Sequence, residues 1–412
     1  MNPIRHLPLI PLLFALLAST PATHAIIVSY NYDVAGRLNA VNYNGTSRTA
    51  YAYDKNGNLL SRINTVNTPL PPLAGTYNGL LTNTGADLTN IGPITLKIGI
   101  NGSFSGKITI GGSALPFTGT FPASGVAPVI IIDRKPPLND LTLTLTLDVV
   151  GGTKMITGTV TDGTFTSDVM LDRAGYNATT QLLPAGLMGK YTSLLMPTDS
   201  DPAIPQGDGY ATVAISNTGM ITMTGKLANN VGITHSAPMV GVANWPLFIS
   251  LHTNKGYLTG LVTFASNPSV SDFFGVLDWR KPITTGILHP AAFDTDLNFV
   301  GSKWDVPLKG QRALNFANTV PNATFTATEG NLAAPVIVNV TLDTANKFIM
   351  PLVNPSKLKL TLTATSGVVM GSFVDGTKTR TVSGVLFQEQ NIGSGFFPGT
   401  DVSGLIQIEA NP

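Results

Sequence analysis

The stretch at residues 101–121, NGSFSGKITIGGSALPFTGTF, has the pattern of a β-hairpin. Its apolar side chains alternate with Ser, Thr and Lys, and glycines stand where the chain would have to turn. Similar stretches recur at residues 367–387 and, more loosely, at residues 219–227. A period of two places alternate side chains on opposite faces of a sheet, so that one face can be buried. The hairpin therefore predicts a fold built from antiparallel strands.

The composition of the whole chain favours an all-β fold. Charged residues are only 11% of the 412 residues, against about 25% in an ordinary soluble protein. Glu occurs only at Glu329, Glu389 and Glu409, whereas Thr and the β-branched aliphatic residues, which suit pleated surfaces, are frequent. The formal net charge of +1 excludes the strongly basic balance that favours nucleic acid or an anionic membrane surface. We expect neither as a partner.

Residues 1–25 have the features of a secretory signal peptide. Arg5 precedes the short apolar run at residues 7–18, and residues 23–25 (THA) offer small side chains at a cleavage site. The run is too short for a membrane helix and contains two prolines. The chain has no Cys, so an exported protein of this size suits the bacterial envelope or the extracellular space. We expect export and no integral membrane segment after removal of the signal.

Sequence patterns divide the rest of the chain into five segments. Short repeats at residues 26–65 precede a proline-rich linker at residues 66–74, and three β modules follow: module A (75–181), module B (182–283) and module C (284–412). Module B is predicted to be an internal duplicate of module A, because Gly189-Lys-Tyr191 repeats the opening Gly75-Thr-Tyr77 after 114 residues (189 − 75). The prediction is an all-β chain of tandem antiparallel modules, each a sandwich or, as we favour, barrel-like.

Two copies of one motif lie in the segment of short repeats. Residues 30–38 (YNYDVAGRL) and 51–59 (YAYDKNGNL) share the pattern Y-x-Y-D-x-x-G-x-L. This pattern resembles the YD (Rhs-type) repeat of bacterial surface and toxin-encapsulating proteins. The resemblance implies a strand, a turn and a strand in each copy, with Asp bonding turn amides and Gly at positive φ.

Residues 75–412 resemble β-rich modules of large secreted or surface-anchored bacterial proteins. The stretches that carry this resemblance include residues 205–210 (PQGDGY), 245–247 (WPL) and 395–397 (GFF). The resemblance implies a location and an architecture, and it assigns no activity.

The tyrosines of the short repeats are the candidate binding residues. Exposed aromatic rings can stack on sugars, and repeats of the YD kind are often described as carbohydrate-binding. The candidate carbohydrate-binding residues are Tyr30, Tyr32, Tyr51 and Tyr53. In the alternative interpretation, the same tyrosines pack within the hairpin sheet and bind nothing.

Catalytic and metal-binding patterns are not found in the sequence. There is no G-x-S-x-G elbow, and His235, His252 and His289 lie far apart without an H-E-x-x-H motif. Zinc sites of the Cys type are excluded, and the sequence marks no pair of carboxylates for glycoside hydrolysis. Five aspartates near predicted strand ends or turns are Asp133, Asp148, Asp162, Asp168 and Asp172. We predict no catalytic residues, no metal and no cofactor.

Two further groups of residues have simple structural interpretations. Asp199, Asp201 and Asp208 could supply oxygen ligands to Ca²⁺, but their spacing does not match the known calcium loop, so a polar loop is favoured. The three Trp residues could form a sugar platform, but their apolar surroundings favour core packing. These tryptophans are Trp245, Trp279 and Trp304.

The sequence favours an exported, non-enzymatic bacterial surface or extracellular β protein that acts in adhesion, envelope structure or carbohydrate binding. The expected partner is a cell-surface glycan or an envelope component. One alternative is an outer-membrane β-barrel, although Thr dominates one face of the strands and the last residues (ANP) include no terminal aromatic. A less favoured alternative is a secreted polysaccharide-degrading enzyme.

Overall fold

The computed structural model describes residues 28–43, 47–66, 73–177, 179 and 181–411. Every regular element in these ranges is a β-strand. The predicted signal peptide lies outside the described residues, as do residues 67–72 of the predicted linker. The chain divides into two compact units, one ending at Pro69 and one beginning at Leu70.

The first unit contains a four-stranded antiparallel sheet in the order β1-β2-β3-β4. Its strands are β1 (Val28–Tyr32), β2 (Leu38–Tyr43), β3 (Ser47–Tyr53) and β4 (Leu59–Val66). The two copies of the YD-like motif form the β1–β2 and β3–β4 hairpins. One register shift follows Asn31 and a second follows Ala52.

The second unit contains three eight-stranded antiparallel sheets, which we call barrels I, II and III. Barrel I consists of β5 (Gly75–Thr82), β6 (Gly92–Ile98), β7 (Ser103–Ile110), β8 (Ser113–Thr120), β9 (Ile130–Ile132), β10 (Leu141–Leu147), β11 (Met155–Thr161) and β12 (Thr166–Arg173). Barrel II consists of β13 (Gly189–Pro197), β14 (Gly209–Ile215), β15 (Met220–Lys226), β16 (Gly232–Pro238), β17 (Asn244–Leu251), β18 (Gly256–Asn267), β19 (Ser271–Lys281) and β20 (Phe293–Lys303).

Barrel III repeats the arrangement with shorter strands at its seam. It consists of β21 (Ala323–Glu329), β22 (Val336–Leu342), β23 (Phe348–Ile349), β24 (Lys359–Thr363), β25 (Val368–Asp375), β26 (Lys378–Phe387), β27 (Ile392–Pro398) and β28 (Ser403–Ala410).

All three sheets follow the chain order and close on themselves. The first strand of each barrel pairs with the last, as β5 with β12, β13 with β20 and β21 with β28. Each barrel has one seam at which the hydrogen-bonded order is interrupted. The seam lies between β8 and β9 in barrel I, between β16 and β17 in barrel II, and between β23 and β24 in barrel III. The prediction of an all-β chain with tandem antiparallel modules is confirmed, and each module is a nearly closed barrel. Closure leaves few exposed strand edges.

Inward-pointing side chains fill each barrel. In β10, whose sequence is LTLTLTL, all four leucines are buried, whereas its three threonines are less buried. Large aromatic residues occupy the interiors, including Tyr77 in barrel I, Trp245 and Trp279 in barrel II and Phe325 in barrel III. The barrel interiors are therefore packed cores, and the surfaces open to a ligand are the outer faces and the spaces between barrels.

Barrels I and II begin with the same local structure. Tyr77 and Tyr191 are both buried, and their hydroxyls donate to the carbonyl oxygens of Leu73 (2.7 Å) and Leu187 (2.8 Å), four residues earlier. Burial raises the pKa of each tyrosine to about 12. The matching sequence openings thus correspond to matching positions in the two barrels.

The end of barrel II differs from the predicted boundary between modules B and C. Tyr77 is opposite Arg173 in barrel I, and Tyr191 is opposite Lys303 in barrel II. The structural counterpart of Arg173 is therefore Lys303. Strand β20, which was predicted within residues 284–412, closes the second sheet, and the third sheet begins at Ala323. The sequence pattern assigned β20 to module C instead of module B, because the pairing of β20 with β13 is non-local.

Barrels II and III pack against each other through their outer faces. Leu194 and Tyr210 of barrel II lie in one apolar cluster with Val385, Phe387 and Phe396 of barrel III. This cluster holds the two barrels together.

Candidate functional site

The four candidate tyrosines lie on one face of the four-stranded sheet. Tyr30 is opposite Val41, which is opposite Thr49 on β3. Side chains two positions apart on a strand share a face, so Tyr32 lies beside Tyr30, and β3 places its own two tyrosines on the same face as Thr49. We call this surface the tyrosine face.

The tyrosines differ in exposure across this face. Tyr30 is 57% exposed and Tyr32 is 61% exposed, whereas Tyr51 and Tyr53 are half-buried. The Tyr53 hydroxyl donates to the Leu38 carbonyl oxygen at 2.9 Å. Two of the four predicted residues therefore present rings to solvent, and Tyr53 is also bound within the sheet.

Arg37 connects the two motif copies. Its guanidinium carbon lies 4.9 Å from the centre of the Tyr53 ring, and its Nη1 donates to the Asp54 carbonyl oxygen at 3.0 Å. Its Nε also donates to Asp33 Oδ2 at 2.8 Å. Arg37 thus fixes the ring of Tyr53 and the turn after β1.

The turn aspartates act as the repeat pattern implies. Asp33 Oδ1 accepts from the backbone N–H of Ala35 and of Arg37, each at 2.9 Å. In the second copy, Asp54 Oδ1 accepts from the backbone N–H of Asn56 and of Asn58, each at 2.8 Å. Hydrogen bonds to the charged form lower the pKa of both carboxyls, chiefly from the Arg37 backbone for Asp33 and from the Asn58 side chain for Asp54.

The glycines of the two turns adopt the predicted conformation. Gly36 has a φ of 74° and Gly57 a φ of 89°, a region in which a Cβ atom is unfavourable. The local turn chemistry of the two copies is therefore the same.

A cluster of carboxyl groups on barrel II was not predicted from the sequence. Strand pairing places Asp278 opposite Asp296, and Arg280 opposite Asp294. The carboxyl of Asp278 contacts that of Asp294 and accepts a hydrogen bond from the Tyr257 hydroxyl at 3.0 Å. Burial, followed by this contact and the charges of the two other aspartates, raises the pKa of Asp278 to about 6.

This cluster borders a groove of about 660 Å³ between barrels I and II. The Nη1 of Arg280 donates to the Ala86 carbonyl oxygen (2.9 Å) and to Asp87 Oδ2 (3.2 Å) in the loop after β5. The sequence could have indicated that these side chains point outward, because they alternate with buried Leu277, Trp279 and Lys281. Their convergence depends on the register of β19 and β20, which the sequence does not reveal.

His235 and the three tryptophans occupy structural positions. His235 Nδ1 accepts from the Trp245 indole N–H at 3.1 Å, and burial lowers the pKa of this histidine to about 4. All three tryptophans are buried, in agreement with core packing. Among the residues that the structure describes, no group of three or more His, Cys, Asp or Glu side chains could hold a metal ion.

The three aspartates considered for Ca²⁺ have other partners. Asp199 Oδ1 accepts from the Asp201 backbone N–H, and Asp201 Oδ1 accepts from that of Ala203, each at 2.9 Å. Asp208 is buried and accepts from the Ser394 hydroxyl of barrel III. The first two aspartates therefore shape a polar loop, as expected, and Asp208 belongs to the contact between barrels II and III.

The described part of the chain contains no helix of sufficient length and apolar character to cross a membrane. Comparison with known proteins found no matching protein-family model and no matching curated protein.

Two solved structures share limited similarity with this chain. Endo-1,5-alpha-L-arabinanase from Thermotoga petrophila RKU-1 is 8% identical, with 76% of this chain and 97% of that chain covered and a TM-score of 0.18. The WD40 domain of SCAP from fission yeast is 10% identical, with 92% of this chain and 74% of that chain covered and a TM-score of 0.14. TM-scores this low do not establish a shared fold.

Proposed function

We propose that this chain is an exported, non-enzymatic β protein of the bacterial surface or extracellular space that binds carbohydrate through its tyrosine face. The observation that carries the proposal is the pair of exposed rings at Tyr30 and Tyr32 on one sheet face. A tyrosine ring offers an apolar face for the C–H groups of a sugar and a hydroxyl for its polar groups. The low charge of the chain is compatible with an uncharged ligand.

The surroundings of these rings support recognition by a preformed surface. Asp33 and Asp54 hold the two turns, and Tyr53 is fixed by Leu38 and Arg37. A sheet that keeps its aromatic side chains in place loses less conformational entropy on binding than a flexible loop does.

The carboxyl pair of Asp278 and Asp294 on barrel II supports the non-enzymatic part of the proposal. Glycosidases hold two carboxyl groups about 5 Å or more apart, so that a sugar or a water molecule fits between them. Asp278 instead interacts with Asp294 across the paired strands β19 and β20, and this interaction raises the pKa of Asp278. Reproducible turnover on a panel of polysaccharides, abolished by Asp278→Asn, would contradict this part.

A glycan array tests the binding proposal on the full chain. We expect Tyr30→Ala/Tyr32→Ala to weaken binding about tenfold or more, because removing a stacking aromatic ring commonly costs more than 1 kcal/mol. Leu60→Ala, which alters another exposed side chain of the same sheet, serves as the control and should bind normally. Absence of glycan binding by the unmodified chain would reject the carbohydrate function.

A further inference from the structure

Strand β19 presents an unusual row of side chains on the outside of barrel II. Its outward positions are Asp272, Phe274, Val276, Asp278 and Arg280, which alternate with buried Phe273, Leu277, Trp279 and Lys281. Phe274 is 44% exposed and Val276 is 56% exposed. On the neighbouring β18, Leu261 is 48% exposed. The middle of the row is therefore apolar and accessible, and its ends are polar.

Each end of the row opens into a groove between barrels. Asp272 lines a groove of about 870 Å³ between barrels II and III, with Gln311, Asn315 and Asn391 among its other side chains. Arg280 lines the groove of about 660 Å³ between barrels I and II, with Thr89 and Asn254. One strand thus connects the two grooves across the surface of barrel II.

The length of this row suits a chain ligand. The eight residue steps from Asp272 to Arg280 span about 26 Å at the rise of an antiparallel strand. On one side, Phe274 is paired with Val300 of β20, whose side chain packs against the apolar cluster shared with barrel III. On the other side, it is paired with Thr263 of β18. Barrel III therefore covers one side of the row and leaves Phe274 and Val276 in its middle exposed, whereas Asp272, Asp278 and Arg280 are half-buried.

We propose that the outer row of β19, together with the two grooves at its ends, is a binding track for an extended, uncharged polysaccharide. The track rests on the proposed carbohydrate function but is a different site from the tyrosine face. Phe274 would stack on a sugar ring at the centre, while amide, hydroxyl and carboxylate groups in the grooves would bond sugar hydroxyls.

The charge of the grooves favours an uncharged chain. Their linings contain five acidic side chains (Asp272, Asp305 and Glu389; Asp87 and Asp294) and five basic ones (Lys303 and Arg312; Lys255, Arg280 and Lys281). A polyanion would also meet the carboxyl groups of Asp278 in the row and of Asp296, its partner on β20, and the repulsion would weaken its binding.

Affinity electrophoresis in neutral polysaccharides tests this proposal. The full chain is compared with the Phe274→Ala variant. We expect Phe274→Ala to weaken binding about tenfold, because the lost ring is the central aromatic contact. Leu261→Ala should weaken binding less, and Leu352→Ala, a matched change at an exposed leucine of barrel III, should have no effect. The ring of Phe274 is outside the core, so all variants should unfold at the same temperature as the unmodified chain.

Ligand length and the tyrosine variant separate the possible results. Affinity that increases with oligosaccharide length and persists in Tyr30→Ala/Tyr32→Ala supports the track. Binding that is lost in the tyrosine variant and unchanged in Phe274→Ala overturns the track and leaves the tyrosine face as the site. Preferential binding of a polyanion overturns the assignment of an uncharged ligand. If the unmodified chain binds no polysaccharide, both the track and the proposed function fail.

Discussion

At the residue scale, His289 shows how a buried side chain joins two barrels. It lies in the connection between β19 and β20 and is 2% exposed. Its Nε2 accepts from the backbone N–H of Ser403 at 2.9 Å, and its Nδ1 lies 3.1 Å from the Ala203 carbonyl oxygen. The first contact requires an unprotonated Nε2, so the proton of the neutral ring is on Nδ1 and is donated to Ala203. Burial, the largest cause, lowers the pKa of His289 below 6.5.

Acid should therefore weaken the contact between barrels II and III. Because the folded-state pKa is below the unfolded value of 6.5, the unfolded chain binds the proton more readily, and stability is lost as the pH falls below that value. We expect His289→Gln, whose amide can accept from Ser403 and donate to Ala203, to lower stability by about 1–3 kcal/mol at neutral pH.

Urea unfolding at about pH 7.5 and about pH 5 measures this effect, since the window spans the ordinary histidine pKa. The variant should lose less stability than the unmodified chain between the two conditions. His235 also titrates on acidification, so His289→Gln should retain part of the pH dependence. An unchanged loss of stability in the variant would contradict the role given to His289.

At the element scale, close strand pairing depends on glycines at particular positions. Gly79 lies in β5 between β6 and β12, opposite Ile94 and Leu171. A Cβ atom at this position would lie 1.8 Å from the Met170 carbonyl oxygen. The backbone would have to move in the very strand that closes barrel I.

We expect Gly79→Ala to lower the free energy of unfolding by about 2 kcal/mol or more, because overpacking a strand pair forces a backbone shift. Gly232→Ala provides a matched control, since a Cβ atom at that glycine of β16 would meet no atom within 4 Å. Its stability should stay within about 1 kcal/mol of the unmodified chain. Equal stability of the two variants in thermal and urea unfolding would show that β5 tolerates the extra atom.

The hairpin at residues 101–121 and the similar stretch at residues 367–387 occupy different places in their barrels. Residues 101–121 form β7 and β8, the third and fourth strands of barrel I, whereas residues 367–387 form β25 and β26, the fifth and sixth strands of barrel III. Two similar hairpins thus occupy different places in barrels of the same cyclic order. Alternating apolar side chains and turn glycines meet the needs of any hairpin, so the resemblance between these stretches does not define their position.

At the scale of the whole molecule, three packed barrels follow one another in the unit that begins at Leu70. Barrels II and III share an apolar cluster, and barrels I and II meet through the hydrogen bonds of Arg280 to Ala86 and Asp87. The contact between barrels II and III buries an apolar cluster in addition to its hydrogen bonds, so we expect the contact between barrels I and II to be the weaker one.

The proposed location gives a prediction at this scale. An exported surface or extracellular protein should appear outside the cytoplasm, and high-salt or carbonate washing should release it from membranes. Cell fractionation followed by immunoblotting makes the measurement, with a known integral membrane protein of the same cells as the control. Complete retention in the washed membrane fraction would favour the outer-membrane alternative instead.

The sequence by itself determined the all-β class, the tandem antiparallel modules and the matching starts of barrels I and II. These follow from local physical chemistry, since alternation, β-branched residues and turn glycines act over a few neighbouring positions. The four tyrosines could be chosen in the same way, because they lie in one short motif.

Only the tertiary structure decided which strands close each barrel, where barrel II ends, which tyrosines are exposed, and which outward side chains meet. Strand β20 pairs with β13 across about 100 residues, and no local pattern specifies such a partner. The contact between Asp278 and Asp294 and the row from Asp272 to Arg280 likewise depend on strand register and on the packing of neighbouring barrels. Burial and register are properties of the assembled sheets, which is why the sequence alone could not supply them.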